Sequence, residues 1–501
     1  MLRTAEIFGN GCVLQRNQKN IIWGKTDTKE KIMIRFLDRS YETEPDETGF
    51  WKIELKPCKE GGPYTMYITS GKEEINYLDI YFGEVWLAGG QSNMELALKD
   101  SDHGELASRQ ANHPLIRFFN VPKISSENDP AYQQNWEKAC WREAVGEQAG
   151  DMSAVAFYFA CRLQESLSVP VGIIDCYWGG TSALCWMSEE MVISDEDAKR
   201  CYDEYYDAIK DQTEEEFDIL MAAYQKEFDG WNERVQKQRQ INPDITWEEL
   251  NEIAGVCPWP QPAGKKSPFR PCGLYHTMVK KVSPYGIKGF IYYQGEEDHE
   301  RSRFYHKLNS MVIRQWREDF NQGDLPFYLV QLPMYIAKGD EDDKNWCILR
   351  QQQEIVTKEN AKTGMAVIID CGEFDNIHPT DKKTPGTRLA LQALGKTYQV
   401  IDKYDNMFLD QAEVVGNEVV LSFRNTYGGI IAKEEVLLGF EISDDGNIYV
   451  TADARIDGQK IIVFSDKIQN PCVVRYAWTN FGKVNVYNQA GLPLAPFYKR
   501  L

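Results

Sequence analysis

The segment Glu84-Val85-Trp86-Leu87-Ala88-Gly89-Gly90-Gln91-Ser92-Asn93-Met94-Glu95 decides how this chain is read. Val85 to Ala88 form a short, wholly apolar run. Such a run suits a strand buried on both faces, as parallel strands are. Two glycines then allow a tight turn, and a helix is predicted to open at Ser92. A serine at that junction lies at the carboxyl end of a sheet, where open α/β folds bind their ligands. Free N–H groups at a helix start also favour developing negative charge. Taken alone, Ser92 serves equally well as an N-cap.

Similar apolar runs recur along the middle of the chain: Leu115-Ile116-Arg117-Phe118-Phe119, Val171-Gly172-Ile173-Ile174, Gly289-Phe290-Ile291-Tyr292, Phe327-Tyr328-Leu329-Val330 and Met365-Ala366-Val367-Ile368-Ile369. Amphipathic stretches such as Val155 to Leu167 separate some of them. Strands alternating with helices predict a doubly wound α/β domain, assigned to residues 81–400. Within it, residues 188–265 read as a charged helical insertion. Phe217, Leu220, Met221, Tyr224, Phe228 and Trp231 step by three or four along one helix face. The insertion is expected either to pack as a helical hairpin or to cover the active site as a lid.

Both flanks read as β. Residues 1–80 alternate apolar and polar side chains between turn clusters, as a small sandwich does. Residues 401–501 show strand-like runs such as Glu418 to Phe423 and Lys460 to Phe464, with turn signals at Gly416-Asn417 and Asp457-Gly458.

The chain has 501 residues, 43% hydrophobic and 26% charged, as globular proteins do. Its net charge of −20 argues against nucleic-acid binding, which needs a basic surface to displace counterions. No apolar run approaches the roughly 18 residues that would span a bilayer. No signal-peptide pattern opens the sequence, so a cytoplasmic location is expected. The 12 cysteines show no CxxC pair and no zinc spacing, and read as reduced thiols.

Three further segments carry chemistry, each just after an apolar run. In Cys371-Gly372-Glu373-Phe374-Asp375-Asn376-Ile377-His378-Pro379, Asp375 and His378 stand three apart. One turn would put them on one face, with Asp375 orienting His378 as a base toward a serine. Asp-x-x-His alone is a weak signal. Asp175-Cys176-Tyr177-Trp178-Gly179-Gly180-Thr181-Ser182 offers backbone N–H groups, and Tyr292-Tyr293-Gln294-Gly295-Glu296 a side-chain amide. A nucleophile, a base with its orienting acid and two donor groups meet the requirements for acyl transfer.

These motifs resemble those of the sialate O-acetylesterase family, a branch of the SGNH hydrolases. They are Gly90-Gln91-Ser92-Asn93-Met94, Trp178-Gly179-Gly180-Thr181, Tyr293-Gln294-Gly295-Glu296 and Asp375 through Pro379. The likeness extends to Val13-Leu14-Gln15-Arg16 near the start and Gly491-Leu492-Pro493 near the end. It implies a flavodoxin-like parallel sheet and hydrolysis of an O-acetyl ester on a sugar, without metal or cofactor. It also implies Ser92 as nucleophile, His378 as general base and Asp375 as its orienter. The oxyanion hole would be the Ser92 and Gly180 N–H groups with the Gln294 amide. Gln91, Trp178, Tyr293 and Glu296 are candidate substrate contacts, with Trp186 and Tyr292 as further stacking faces. Arg350 or Arg388 would meet a sialic acid carboxylate. His299 is read as structural. The expected partner is an O-acetylated sugar or oligosaccharide, with acetylated hemicellulose as the alternative substrate and a catalytically silent glycan-binding protein as the alternative class.

Overall fold

The computed structural model describes residues 1–243 and 245–501; position 244, inside the expected insertion, lies outside them. A central sheet carries the site. Its strands are β1 (Glu73–Gly90), β2 (Asn112–Asn120), β3 (Trp141–Val145), β4 (Val171–Tyr177), β5 (Gly289–Tyr293), β6 (Phe327–Val330) and β7 (Thr363–Ala366). They lie in the order β3-β2-β4-β1-β5-β6-β7. All neighbours are parallel except β3, which pairs antiparallel with β2 at the edge.

The apolar runs are apolar because both faces are covered. Val85, Leu87, Ile174, Phe290 and Tyr292 enter one hydrophobic core, while Trp86, Ala88, Ile173, Ile291 and Tyr293 enter another. Successive side chains point to opposite faces, so a strand feeding two cores has no polar position to spare. Helix α1 (Ser92–Glu95) follows β1, and α2 (Ala154–Leu167), capped by Ser153 on the Ala156 N–H, precedes β4.

β1 is long enough to serve two regions. Its first half pairs with Gly61–Ser70 of the amino-terminal β region, and its second half runs into the central sheet. The expected boundary near residue 80 therefore falls within one continuous strand. At the other end, the β-rich region from Phe408 to Arg500 docks on the segment after β6. There the buried Arg350 guanidinium donates to the carbonyls of Ala477 and Thr479, and Tyr335 N–H donates to the Asn480 carbonyl at 2.9 Å.

The insertion is helical. It contains α3 (Glu196–Ala208), α4 (Glu214–Ile241) and α5 (Trp247–Ala254). Thr213 with Glu216 and Thr246 with Glu249 form capping boxes that start α4 and α5. Phe217, Tyr224 and Trp231 are buried as their spacing predicts, but Leu220 is exposed. The buried stripe follows a narrower line: α4 packs on α5 through Trp231, Val235, Leu250 and Ala254 and on the segment after α5 through Tyr224 and Phe217. Among the described residues, no helix is long and apolar enough to cross a membrane.

Trp86 joins these layers. It is fully buried, stacks on Tyr328 at 5.8 Å, and donates from its indole to Tyr398, which donates to Glu84. Trp86→Ala is expected to lower the unfolding free energy by about 3–5 kcal/mol, measured by urea denaturation.

Candidate active site

Strand register assembles the site. Gly90 is opposite Tyr177 on one side and Tyr293 on the other, so three strands end level. The next residues are Gln91-Ser92, Trp178-Gly179-Gly180 and Gln294-Gly295. Gly90 has φ +135°, and a Cβ there would stand 2.0 Å from the Tyr293 carbonyl oxygen. Only glycine permits that approach.

Ser92 is the first helical residue of α1; the N-cap is Gln91, which makes no side-chain cap. The serine hydroxyl is thus free for chemistry. It lies 2.8 Å from His378 Nε2. His378 comes from the loop after β7. Glu373 staples that loop by accepting from Thr380 N–H at 2.7 Å and Asn376 Nδ2 at 2.7 Å, and Asn376 accepts the His378 N–H at 3.0 Å.

Beneath the pair lies a buried polar cluster. Asn93 Nδ2 donates to the Ile377 carbonyl at 2.9 Å and to Glu296 Oε1 at 2.5 Å, while Lys382 Nζ donates to Asn93 Oδ1 at 2.5 Å. Asn93 thereby ties the serine helix to the histidine loop. Burial lowers the Lys382 pKa to about 8 against the pull of Glu296 and Glu373. Burial, and then the Lys382 charge, lower His378 to about 4. His378 is therefore neutral at pH 7, as a base toward serine must be.

Asp375 is not where the motif suggests. The segment forms a tight turn rather than a helical one, with Asp375 at φ +55°. Its Oδ1 accepts the Lys338 N–H at 2.9 Å and its Oδ2 accepts Asn251 Nδ2 at 3.1 Å. It makes no hydrogen bond to His378, and among the described residues no carboxylate bonds that ring. The left-handed turn aims Asp375 at the insertion instead.

Gln294 is likewise engaged inside the protein. Its amide nitrogen donates to Asp298 Oδ2 at 2.6 Å, Gln91 Oε1 at 3.2 Å and the Thr181 carbonyl at 3.2 Å. Those acceptors take both of its hydrogens, so it braces the strand ends rather than facing an oxyanion. The Gly179 N–H is held by Glu95 Oε2 at 2.5 Å. The N–H groups of Ser92 and Gly180 have no acceptor among the described residues, and Gly179 lies against the Ser92 side chain.

The candidate substrate contacts mostly turn inward. Gln91 accepts from Gln294, Gly295 and Glu297, and is 2% exposed. Tyr293, Glu296, Trp186 and Tyr292 are buried, whereas Trp178 is half-buried. Strand-end aromatics and a carboxylate beside a buried lysine satisfy the interior first. Arg350 donates to carbonyls, and Arg388 makes a two-pronged ion pair with Asp370. His299 Nδ1 pairs with the Glu296 carbonyl at 3.0 Å. Lys382, Glu373 and Asn251 were not singled out from the sequence; isolated Lys, Glu and Asn residues carry no pattern.

Comparison with known proteins agrees with the motifs. Residues 263–395 match the family described as carbohydrate esterase, sialic acid-specific acetylesterase. The chain is similar to the sialate O-acetylesterase of Mus musculus, 27% identical over 79% of this chain and 73% of the relative. It is also similar to the Homo sapiens sialate O-acetylesterase, 24% identical over 99% of this chain and 92% of that protein. The crystal structure of a carbohydrate acetylesterase from Xanthomonas citri is 29% identical, with TM-score 0.79 and 99% of both chains covered. The chain is a carboxylic ester hydrolase, akin to the sialate O-acetylesterases.

For this esterase the electrostatics give a definite pH dependence. With His378 near 4 and acting as the proposed base, kcat/KM for an acetyl ester is expected to rise with pH through about 4 and to be level above it. Lys382→Met removes a cation that disfavours the imidazolium. The acid limb is then expected to move to higher pH, measured in a kcat/KM profile from pH 3 to 8.

Proposed function

We propose that this protein is a serine carbohydrate esterase that removes O-acetyl groups from sugars through an acyl-enzyme. The observation that carries the reading is the 2.8 Å contact between Ser92 Oγ and His378 Nε2, placed where three parallel strands end. The hydroxyl adds to the acetyl carbonyl as its proton passes to His378 Nε2. The oxygen that becomes negative faces the Ser92 and Gly180 N–H groups, the donors with no other acceptor. On collapse, the sugar oxygen leaves with the proton from His378, and the acetyl group stays on Ser92. Water then repeats the sequence with His378 as base, releasing acetate and restoring the hydroxyl.

In this scheme Asp375 holds the loop that carries His378, anchoring it to Lys338 and to helix α5. Orientation of His378 falls to its backbone tie to Asn376, the Asn93 bond to Ile377 and the Glu373 staple. The sheet order supports a flavodoxin-like core. With β1 taken as strand 1, β4, β1, β5, β6 and β7 read 2-1-3-4-5, with β2 and β3 added at one edge. The division into 1–80, 81–400 and 401–501 is retained as part of this reading.

One observation favours a neutral acetylated oligosaccharide over sialic acid. Arg350 and Arg388, the arginines considered for a sialic acid carboxylate, are both buried and donate to internal acceptors. Acetate release from acetylated xylo-oligosaccharides beside O-acetylated sialic acids tests the choice.

Two mutational outcomes check the machinery. Ser92→Ala is expected to abolish acetate release above background and covalent labelling by an organophosphonate; release that persists would favour the glycan-binding alternative. Asp375→Asn is expected to lower kcat less than tenfold, because an amide can still serve Lys338 and Asn251. An aspartate that orients the base would cost about 10⁴, and a loss of that size would restore it as the third member of a triad.

A further inference from the structure

The geometry points to Trp259, on the insertion, as the platform on which a pyranose ring of the acetylated glycan stacks. The inference rests on the esterase reading and adds the residue that receives the sugar. Trp259 is 47% exposed, whereas every other tryptophan is buried or half-buried.

Its position is specific. A Cβ built on Gly180 would stand 2.1 Å from Trp259 Cη2, so the six-membered ring abuts the glycine whose N–H is free. Gly180 has φ +72°, and its missing side chain is the space the indole uses. A Cβ on Gly179 would stand 3.2 Å from Ser92 Cβ. Nucleophile, glycine turn and indole thus adjoin in that order. An acetyl carbonyl held between Ser92 and Gly180 leaves the sugar oxygen leading outward beside Trp259.

The ring is also held rather than loose. Phe269 packs on it edge-to-face, centroids 5.1 Å apart and planes at 81°. The Glu297 carboxyl approaches it, and the Glu297 N–H is pinned to Gln91 at 3.3 Å, the residue before the nucleophile. An apolar ring face with a carboxylate at its edge suits a pyranose, whose C–H groups stack while its hydroxyls donate. The inward-facing Tyr292, Tyr293 and Trp186 leave this role open.

Ser92→Ala protein, with and without Trp259→Ala, titrated calorimetrically with acetylated xylotetraose, tests the assignment. The second change is expected to weaken binding about tenfold, and Trp259→Phe to recover most of it. In the active enzyme, the ratio of kcat/KM for acetylated xylotetraose to that for ethyl acetate is expected to fall by a similar factor in Trp259→Ala, chiefly through KM. A purely structural tryptophan would move both esters equally and leave the ratio unchanged. An unchanged ratio, or no binding of the sugar to the Ser92→Ala protein, overturns the platform. Ethyl acetate hydrolysis that depends on Ser92 tests the esterase reading separately, so the two failures are distinguishable.

Discussion

The level ending of three parallel strands at Gly90 is the constraint on which the site depends. Tyr177 and Tyr293 flank Gly90 in register, and the Tyr293 carbonyl occupies the space a side chain at Gly90 would need. A one-residue slip in either pairing would turn every side chain of a strand to the opposite core. Both cores are filled with large groups, among them Trp86 and Tyr293 on one side and Tyr292 and Trp316 on the other. Packing of this kind has no alternative register of similar energy. The position of Ser92 relative to Gly180 therefore follows from hydrophobic burial far more than from any contact at the site itself.

The polar groups at the strand ends serve that junction. Gln294, after β5, donates to Gln91 after β1, to the Thr181 carbonyl after β4 and to Asp298. The Gln294 amide hydrogens have partners in a region water does not reach. A buried amide left unpaired costs about 1–3 kcal/mol, so these residues are tied to the interior before they are available to a substrate. This is why glutamines in the two most conspicuous motifs turn out to be braces. The backbone N–H groups of Ser92 and Gly180, by contrast, have no acceptor among the described residues.

The α/β core was legible because parallel strands buried on both faces write themselves as unbroken apolar runs. The insertion was legible from its 3.6-residue period, although Leu220 lies outside the buried stripe. The pairing of Ser92 with His378 followed from motif order. What could not be read was the direction of side chains in turns. Asp375 and His378 are three apart, and that spacing puts them on one face of a helical turn. A left-handed residue at 375 reverses the relation, and nothing in the spelling Asp-Asn-Ile-His announces it. Lys382 was illegible for a different reason. A lone lysine is normally solvated, and its burial beneath Asn93 depends on Glu296, 86 positions earlier in the chain.

The insertion then acquires a meaning that its composition concealed. Charged and polar on most of its surface, it reads as an appendage with a small core of its own. Yet α5 sends Asn251 to Asp375 and places Glu248 and Glu252 around the Lys338 ammonium, at 2.8 and 2.5 Å. The Lys338 backbone N–H holds the other Asp375 oxygen. The exposed ion pairs contribute little individually. The Asp375 bonds matter more, because they are half-buried and close a loop that carries His378. In acyl transfer, a displacement of about 1 Å at the base can cost about 10²-fold in rate. A helix that holds Asp375 can therefore influence where His378 rests. If Trp259 receives the sugar as proposed, recognition and the base loop share one support, and replacing the insertion would alter the two together.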